Sequence, residues 1–418
     1  MAGENKPVSA GNAAAEKKEL RRSFALSYVL IMIGNGLNFL FQIVMGRMLP
    51  VAEYGSGNAS ISIITNLSIV FLPFTIIMCR EVVVQKEDRQ KRSRIFWELM
   101  AAALVLSAVL MIAVLPAGAF RLGSYSFSMW VWMGAAAVFY GAYLILQSFF
   151  QGLEDFGRHG LIAILFFGLK IVLFAVFVLL GLTSASVSGS LILAGILTIL
   201  IGACWLKQGA VVTLEKPKRN LFDFRSAYGA TFILQLLYSL YINGGDILLI
   251  RGRFGDETAG LYSSITIIGK VLVFLVLALS GVLLPEVTKR KSEGRDARGL
   301  ILKITALCAG FALIYAAGIW LIGYRMIPVL LGDRYRIGRD LVLPTMLFYG
   351  SACIMGLFYN YMLAIGAVKQ MIAFLGGSLL LTLAGIWWMP GLNATLLLMG
   401  GVLGAGMALC LAYIVRRT

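Results

Sequence analysis

Three ionisable side chains lie within long apolar stretches of this 418-residue sequence: Lys170, Lys270 and Asp246. A charged residue at the centre of a bilayer costs about 2.5–3.5 kcal/mol even on an insertion-based scale, so it normally faces a cavity or a partner. Two ammonium groups in a cavity poor in water would attract an anionic ligand. The alternative interpretations are snorkelling of the lysines to the interface, or burial against backbone carbonyls or Asp246.

Asp246 is the only carboxylate that the sequence places inside an apolar segment away from its predicted cytoplasmic end. It is therefore the candidate site for a coupling proton or sodium ion. Because it lies about one turn from the end of its segment, an interfacial pairing with Arg251 or Arg253 is at least as good an interpretation.

Amides line one face of the first apolar segment, where Asn35, Asn38 and Gln42 are spaced i, i+3, i+7. Gln235 lies in the seventh segment, and Arg47 follows the first. Amides bind sugar hydroxyls or water, but they equally join membrane helices to one another. Arg47 is either a phosphate contact or outer gate, or a snorkelling anchor. The predicted substrate-binding residues are Lys270, Lys170, Asn35, Asn38, Gln42, Arg47 and Gln235.

Apolar helices must hold these side chains. Hydrophobic residues make up 60% of the chain, charged residues 13%, and the mean hydropathy is +0.87, whereas a soluble domain has roughly 25% charged residues. The fold class is therefore an all-α polytopic membrane protein of about twelve helices. Segments that can span a hydrocarbon core of roughly 30 Å fall near 24–47, 58–79, 95–118, 127–149, 160–182, 187–206, 228–250, 259–284, 300–322, 341–364, 370–388 and 394–414.

The basic residues orient these helices. With a cytoplasmic N-terminus, 26 of the 36 Lys and Arg fall in inside segments and eight at outer ends and loops, which follows the positive-inside rule. Both termini are therefore predicted to be cytoplasmic. The net charge of +16 is read as a topology signal, with anionic lipid headgroups as partners and no nucleic acid.

An internal repeat divides the chain into two halves. GRMLPVAEYGSGNASISI begins at Gly46 after the first segment, and GRFGDETAGLYSSITI begins at Gly252 after the seventh. Six spans in each half give both halves one orientation, so we predict a pseudo-two-fold axis along the membrane normal. The predicted parts are a polar cytoplasmic tail (1–22), a six-helix half (23–206), a cytoplasmic linker (207–225) and a second six-helix half (226–418).

At these motifs the chain resembles the bacterial oligosaccharide (O-antigen type) flippases, which belong to the superfamily of multidrug, oligosaccharidyl-lipid and polysaccharide exporters. The resemblance rests on GRMLPVAEYGSGNAS from Gly46 and DILLIRGRFGDETAGLY from Asp246. It also rests on three further motifs, FFQGLEDFG from Phe149, LLPEVTKR from Leu283 and IPVLLGDRYRIG from Ile327. It implies a monomer in the bacterial cytoplasmic membrane. That monomer would move undecaprenyl-pyrophosphate-linked oligosaccharide from the inner to the outer leaflet by alternating access, for cell-surface polysaccharide synthesis.

The sequence leaves two other functions open, a multidrug-type cation-coupled antiporter and, less favoured, a membrane-embedded polysaccharide polymerase or ligase. Drug antiporters for cations favour carboxylates in their cavity, whereas this cavity has a cationic bias. The longest predicted external loop, 323–340, is too short to form a catalytic domain. His159 has no nearby triad or metal partner, and the five cysteines are scattered singly. The sequence therefore predicts a transporter, with no cofactor and no metal site.

Overall fold

The computed structural model describes residues 10–85, 88–119, 125–207, 227–292, 298–336 and 339–417. Arg121, most of the predicted linker and the first nine residues of the predicted tail lie outside the described residues. Within them the chain is helical and contains no strand. The α-helices are α1 Ala10–Met48, α2 Val51–Leu67, α3 Leu72–Val84, α4 Arg89–Ala119, α5 Phe127–Gly152, α6 Phe156–Leu179, α7 Thr183–Lys207, α8 Ala227–Ile242, α9 Gly245–Ser292, α10 Arg298–Gly318, α11 Tyr324–Leu331, α12 Val342–Ile365, α13 Val368–Gly385 and α14 Leu392–Arg417.

Ten helical stretches in the described part of the chain are long and apolar enough to cross a membrane, and an eleventh arises if α8 and α9 form one bent span. The all-α polytopic prediction is confirmed. The difference from twelve lies at α9, which holds parts of both the seventh and eighth predicted segments. Its 48 residues would measure about 72 Å, more than twice the hydrocarbon thickness. Gly255 interrupts it with φ 86° and ψ −179°.

Helices are interrupted within two of the described spans. Between α2 and α3 the chain forms a 3₁₀ turn over Ser68–Phe71. Pro73 then lies in the first turn of α3, where its missing N–H leaves no hydrogen bond unmade. Between α8 and α9 the direction changes by 56° at Gly244, whose φ of +86° suits glycine and strains other residues.

Packing groups the chain into two compact units. The first contains Met1–Phe41, Val70–Phe120 and Ser126–Lys218; the second contains Gln42–Ile69, Arg121–Tyr125 and Arg219–Thr418. The division into two six-helix halves, which the internal repeat indicates, stays a prediction. Within the packing, α1 belongs to the first unit as far as Phe41, and its last turns belong to the second.

The first unit has an aromatic core. The Phe41 and Phe174 ring centroids lie 5.2 Å apart, and the Tyr143 and Phe166 rings stack at 4.0 Å. Glycines let α1 and α6 approach closely, because a Cβ on Gly34 would lie only 3.2 Å from the Ala163 Cβ.

The second unit is built around α12. Of the spans described, α12 is the most buried, and its side chains pack with α8, α9, α10 and α14. Tyr349 and Tyr361 of this helix are fully buried. This arrangement positions the polar groups of the seventh and eighth predicted segments.

Candidate functional site

Lys170 lies in the first unit, on α6, with 3% of its surface exposed. Its Nζ donates a hydrogen bond to Asn38 Oδ1 at 2.8 Å. It also lies 3.8 Å from the centroid of the Phe41 ring and 5.5 Å from that of Phe167, within the range of cation–π attraction. No charged side chain in the described residues acts on this ammonium. Lys170 is therefore a buried amine held by an amide and aromatic rings.

The amide residues on one face of α1 are divided between the two units, with Asn35 and Asn38 in the first and Gln42 in the second. Asn38 contacts Lys170, as above, and Asn35 is half-buried one turn earlier on the same face. Gln42, one turn later, belongs to the second unit, where its Oε1 accepts a long hydrogen bond of 3.5 Å from the Tyr54 hydroxyl. The structure thus brings Asn38 together with Lys170 and directs Gln42 to other contacts.

Asp246 lies in the first turn of α9 with 2% exposure. Its Oδ2 accepts hydrogen bonds from the hydroxyls of Tyr262 (2.6 Å) and Tyr349 (2.8 Å). Its Oδ1 is buried and has no hydrogen-bond partner. The two arginines considered as partners bind elsewhere: Arg251 pairs with Asp256, and Arg253 donates to the carbonyls of Trp387 and Met389.

A cavity of about 200 Å³ adjoins Asp246 in the second unit. The helices α8, α9, α12, α13 and α14 supply its walls, which are almost entirely apolar. Asp246 and the Thr382 hydroxyl are its polar side chains apart from one tyrosine. The lining residues are Leu240, Tyr241, Gly245, Asp246, Leu248, Leu249, Phe348, Leu379, Thr382, Leu383 and Met399.

Lys270 is half-buried on α9, in the same unit as Asp246. The Asp246 carboxylate exerts an electrostatic attraction on it, although the Lys270 ammonium has no hydrogen-bond partner among the described residues. The neighbouring Gly269 lies against the Tyr349 ring, and any Cβ there would overlap that ring. Lys270 is thus placed beside the Asp246–Tyr349 contact by close helix packing.

Gln235 on α8 accepts a 2.5 Å hydrogen bond from the Tyr359 hydroxyl. Tyr359 in turn stacks on Tyr238 with ring centroids 4.9 Å apart. Tyr359 is not evident from the sequence, because a tyrosine in an apolar helix has no distinguishing spacing. Its role as a partner of Gln235 depends on the contact between α8 and α12.

A second polar group lies where α8 ends. Ser239 Oγ donates to Asn66 Oδ1 at 3.0 Å, and the Asn243 amide donates to Ser239 Oγ at 2.6 Å. The signal that could have found it is the Asn-Gly-Gly sequence at 243–245 inside an apolar segment, since interrupted helices in transporters often mark binding sites.

Arg47 is exposed and bound to backbone. Its guanidinium donates to the carbonyls of Val329 (2.5 Å) and Leu330 (2.8 Å). Arg334 returns hydrogen bonds to the carbonyls of Gly46 (3.0 Å) and Arg47 (2.5 Å). We call this set of bonds, which the Arg47 and Arg334 guanidinium groups donate to backbone carbonyls, the arginine clasp. Nearby, burial raises the pKa of Tyr335 to about 12, so its hydroxyl stays neutral at physiological pH.

No group of three or more His, Cys, Asp or Glu side chains in the described ranges could hold a metal ion. The arrangement can instead bind charged or hydroxylated ligands at polar groups set into apolar helices. In the described part of the chain, ten or eleven such helices, breaks within spans and buried ionisable groups are typical of a polytopic membrane transporter.

Comparison with solved structures shows the fold. An inward-facing multidrug resistance MATE family transporter of the MOP superfamily is similar with a TM-score of 0.68 and 16% identity, over 94% of this chain and 98% of its own. An outward-facing structure of a multidrug resistance MATE family transporter gives a TM-score of 0.61 and 16% identity, over 95% of this chain and 96% of its own. A MOP superfamily transporter from Pyrococcus furiosus gives a TM-score of 0.60 and 16% identity, over 95% of this chain and 96% of its own.

The chain belongs to the polysaccharide biosynthesis protein family, whose model matches residues 20–290. No curated protein matches it. Family and fold confirm the resemblance drawn from the motifs and the prediction of a multi-pass membrane transporter rather than an enzyme.

Proposed function

We propose that this transporter flips an undecaprenyl-pyrophosphate-linked oligosaccharide from the inner to the outer leaflet of the bacterial cytoplasmic membrane by alternating access. Membership of the polysaccharide biosynthesis family supports a glycan-related substrate. The amides of Asn35, Asn38 and Gln42 on α1, and of Gln235 on α8, suit the hydroxyl groups of sugars.

The observation that carries the proposal is the unmatched charge of Lys170. A buried ion without a counter-charge costs several kcal/mol, and among the described residues only the Asn38 amide and two aromatic rings contact the Lys170 amine. An anionic ligand that reached this site would supply the missing charge. A cationic drug would be repelled, so the site favours a pyrophosphate-linked substrate.

We further propose Asp246 as the site that couples transport to a proton or a sodium ion. Support comes from its buried Oδ1, which has no hydrogen-bond partner, and from the cavity that it lines. A carboxylate oxygen with an unused acceptor position can take up a proton, or contribute to cation binding together with oxygen ligands.

The alternative function is a multidrug-type cation-coupled antiporter, which the similar MATE structures favour. The transporter from Pyrococcus furiosus has a binding pocket of reverse polarity, which suggests a different function for that protein. The polarity of the ligand site is therefore the property that separates the two hypotheses for this chain, and Lys170 favours the anionic substrate.

The test is leaflet-resolved measurement of undecaprenyl-pyrophosphate-linked oligosaccharide in cells depleted of this protein. We expect the lipid to accumulate in the inner leaflet, wild type to clear it, and Lys170→Ala and Lys270→Ala to clear it about tenfold more slowly. Lys369→Ala is the matched control, because Lys369 is exposed and should behave as wild type. If the lipid-linked oligosaccharide is normally distributed between the leaflets after depletion, the flippase hypothesis is excluded. The antiporter hypothesis would then be favoured, and drug-efflux measurements would test it.

A further inference from the structure

The cavity beside Asp246 has a buried floor and a partly exposed rim. The floor is formed by side chains that are at most 5% exposed, which are Tyr241, Asp246, Phe348, Thr382 and Met399. The rim is formed by the other lining side chains, five leucines that are half-buried or exposed, which are Leu240, Leu248, Leu249, Leu379 and Leu383. The cavity therefore opens between apolar side chains.

The rim on α13 lies within a membrane-spanning stretch. The apolar span here is Val368–Trp388, and both rim leucines of this helix, Leu379 and Leu383, lie in its second half. Two leucines between them, Leu380 and Leu381, are 68% and 63% exposed. Exposed leucines in a spanning helix contact the hydrocarbon of the bilayer. The rim is therefore continuous with the lipid-facing surface of α13.

The bend between α8 and α9 supplies the other side of the rim. Leu240 precedes the break, and Leu248 and Leu249 follow it. Gly245 lines the cavity at the break, where a Cβ would lie 2.3 Å from the Leu240 carbonyl oxygen. The missing side chain and the 56° change of helix direction leave space that close packing would otherwise fill.

Water is a poor occupant of this cavity. A buried water needs about two to four polar partners, and the lining side chains that carry oxygen are those of Asp246, Thr382 and Tyr241. The Tyr241 hydroxyl already donates to the Leu375 carbonyl at 3.1 Å. The volume of about 200 Å³ exceeds that of an engineered apolar cavity of roughly 150 Å³, which stays dry and binds benzene. The cavity is therefore suited to a hydrocarbon group.

An unbranched acyl chain fits the opening better than a prenyl chain does. The chain must pass between leucine side chains, and a prenyl chain carries a methyl branch on each isoprene unit, which makes it wider. Phospholipid acyl chains are also the bulk of the bilayer that surrounds the rim, and occupancy rises with the concentration of the ligand.

We propose that this cavity binds the acyl chain of a membrane phospholipid, so that the space beside Asp246 holds hydrocarbon rather than water. The chain enters between the rim leucines of α9 and α13 and ends on the buried floor. The proposal rests on the proposed function only in its consequence, which is that a membrane lipid becomes a neighbour of the residue that couples transport to an ion. The site itself does not depend on that role.

Photo-crosslinking in nanodiscs tests the site. The probe is phosphatidylethanolamine with a diazirine near the end of one acyl chain, diluted into unlabelled phosphatidylethanolamine. The readout is label on Phe348 and Met399, because these floor residues are 1% and 2% exposed and a chain reaches them through the cavity. We expect both residues to be labelled.

Adjacent leucines of α13 supply the variant and its matched control. Leu379→Trp should lower label on the floor about tenfold, because the indole fills the entrance. Leu380→Trp should leave that label unchanged, because Leu380 faces lipid and does not line the cavity. Label confined to exposed leucines, or equal floor labelling in the two variants, would overturn the proposal. If Leu379→Trp does not fold, Leu383→Trp takes its place.

Competition distinguishes the two kinds of chain. Excess unlabelled phosphatidylethanolamine should reduce label on the floor, whereas undecaprenyl phosphate at the same concentration should not. Displacement by undecaprenyl phosphate alone would assign the cavity to a prenyl chain and overturn the acyl-chain proposal.

Asp246→Asn separates this site from the coupling function. An amide is close to a carboxylate in size but does not take up a proton at neutral pH, so coupled transport should be lost while label on the floor is unchanged. Unchanged label together with full transport would remove the coupling role and leave the acyl-chain site standing. Loss of the label would contradict a site that binds through its apolar walls.

Discussion

Lys170 and Asp246 are both buried charges, but their surroundings satisfy them differently. Asp246 receives two tyrosine hydroxyls on one oxygen, so half of its carboxylate is compensated by short hydrogen bonds. The Lys170 amine contacts one amide and two aromatic rings. These groups stabilise an ammonium charge less than a neighbouring carboxylate would. A single substitution at Asn38 can therefore change the charge balance of the first unit.

At the residue scale, we expect Asn38→Asp to reduce clearance of inner-leaflet lipid-linked oligosaccharide about tenfold, because a protein carboxylate would then neutralise Lys170 in place of the substrate. The unfolding temperature in detergent should stay the same or rise, since the buried ammonium gains a counter-charge.

The control for this prediction is Asn360→Asp, on α12. Asn360 donates to the Gly356 carbonyl of its own helix, so a carboxylate there loses this hydrogen bond and should destabilise the protein by about 1–3 kcal/mol. Equal destabilisation by the two variants would show that Lys170 does not offer a free positive charge.

The helices are positioned by small residues at their contacts. Gly160 on α6 lies against Leu30 of α1, and a Cβ on it would overlap the Leu30 side chain. Gly168, two turns further along the same helix, has no neighbour within 4 Å of a Cβ. The two glycines look alike in the sequence but have opposite packing roles.

At the element scale, we expect Gly160→Ala to destabilise the protein by about 1–3 kcal/mol, because the added methyl forces α1 and α6 apart. Gly168→Ala should be neutral or should stabilise by about 0.5–1 kcal/mol through helix propensity. Thermal unfolding in detergent measures both. A loss of stability from Gly168→Ala equal to that from Gly160→Ala would argue against this packing of α1 on α6.

The fold of the whole molecule is kept at low sequence identity. Solved MATE structures share 14–16% of their residues with this chain and yet superpose over nearly its full length. The bilayer explains this tolerance, because every spanning segment must be a helix and most lipid-facing positions only need to be apolar. Orientation, in contrast, depends on a few basic loops.

At the scale of the molecule, we predict cytoplasmic termini. Asp333→Cys, in the exposed loop after α11, should react with a membrane-impermeant maleimide in intact cells. Lys91→Cys, at the exposed start of α4, should react only after the cells are permeabilised. The reverse pattern would invert the predicted topology and the direction assigned to transport.

The sequence by itself determined the class of fold, the spans to within a few residues for most helices, and the family. These follow from hydropathy and from motif order, which are local properties of the chain. It also identified Lys170, Asn38 and Asp246 as unusual, because a polar group in an apolar helix is visible without a structure.

Only the tertiary structure decided which groups meet. The pairing of Lys170 with Asn38 joins residues 132 positions apart, and Tyr349 lies 103 positions from Asp246. The sequence left open whether Arg251 or Arg253 pairs with Asp246, and it did not indicate the arginine clasp. Such contacts depend on how helices pack in three dimensions, and helix packing is set by small residues whose individual roles the one-dimensional pattern does not distinguish.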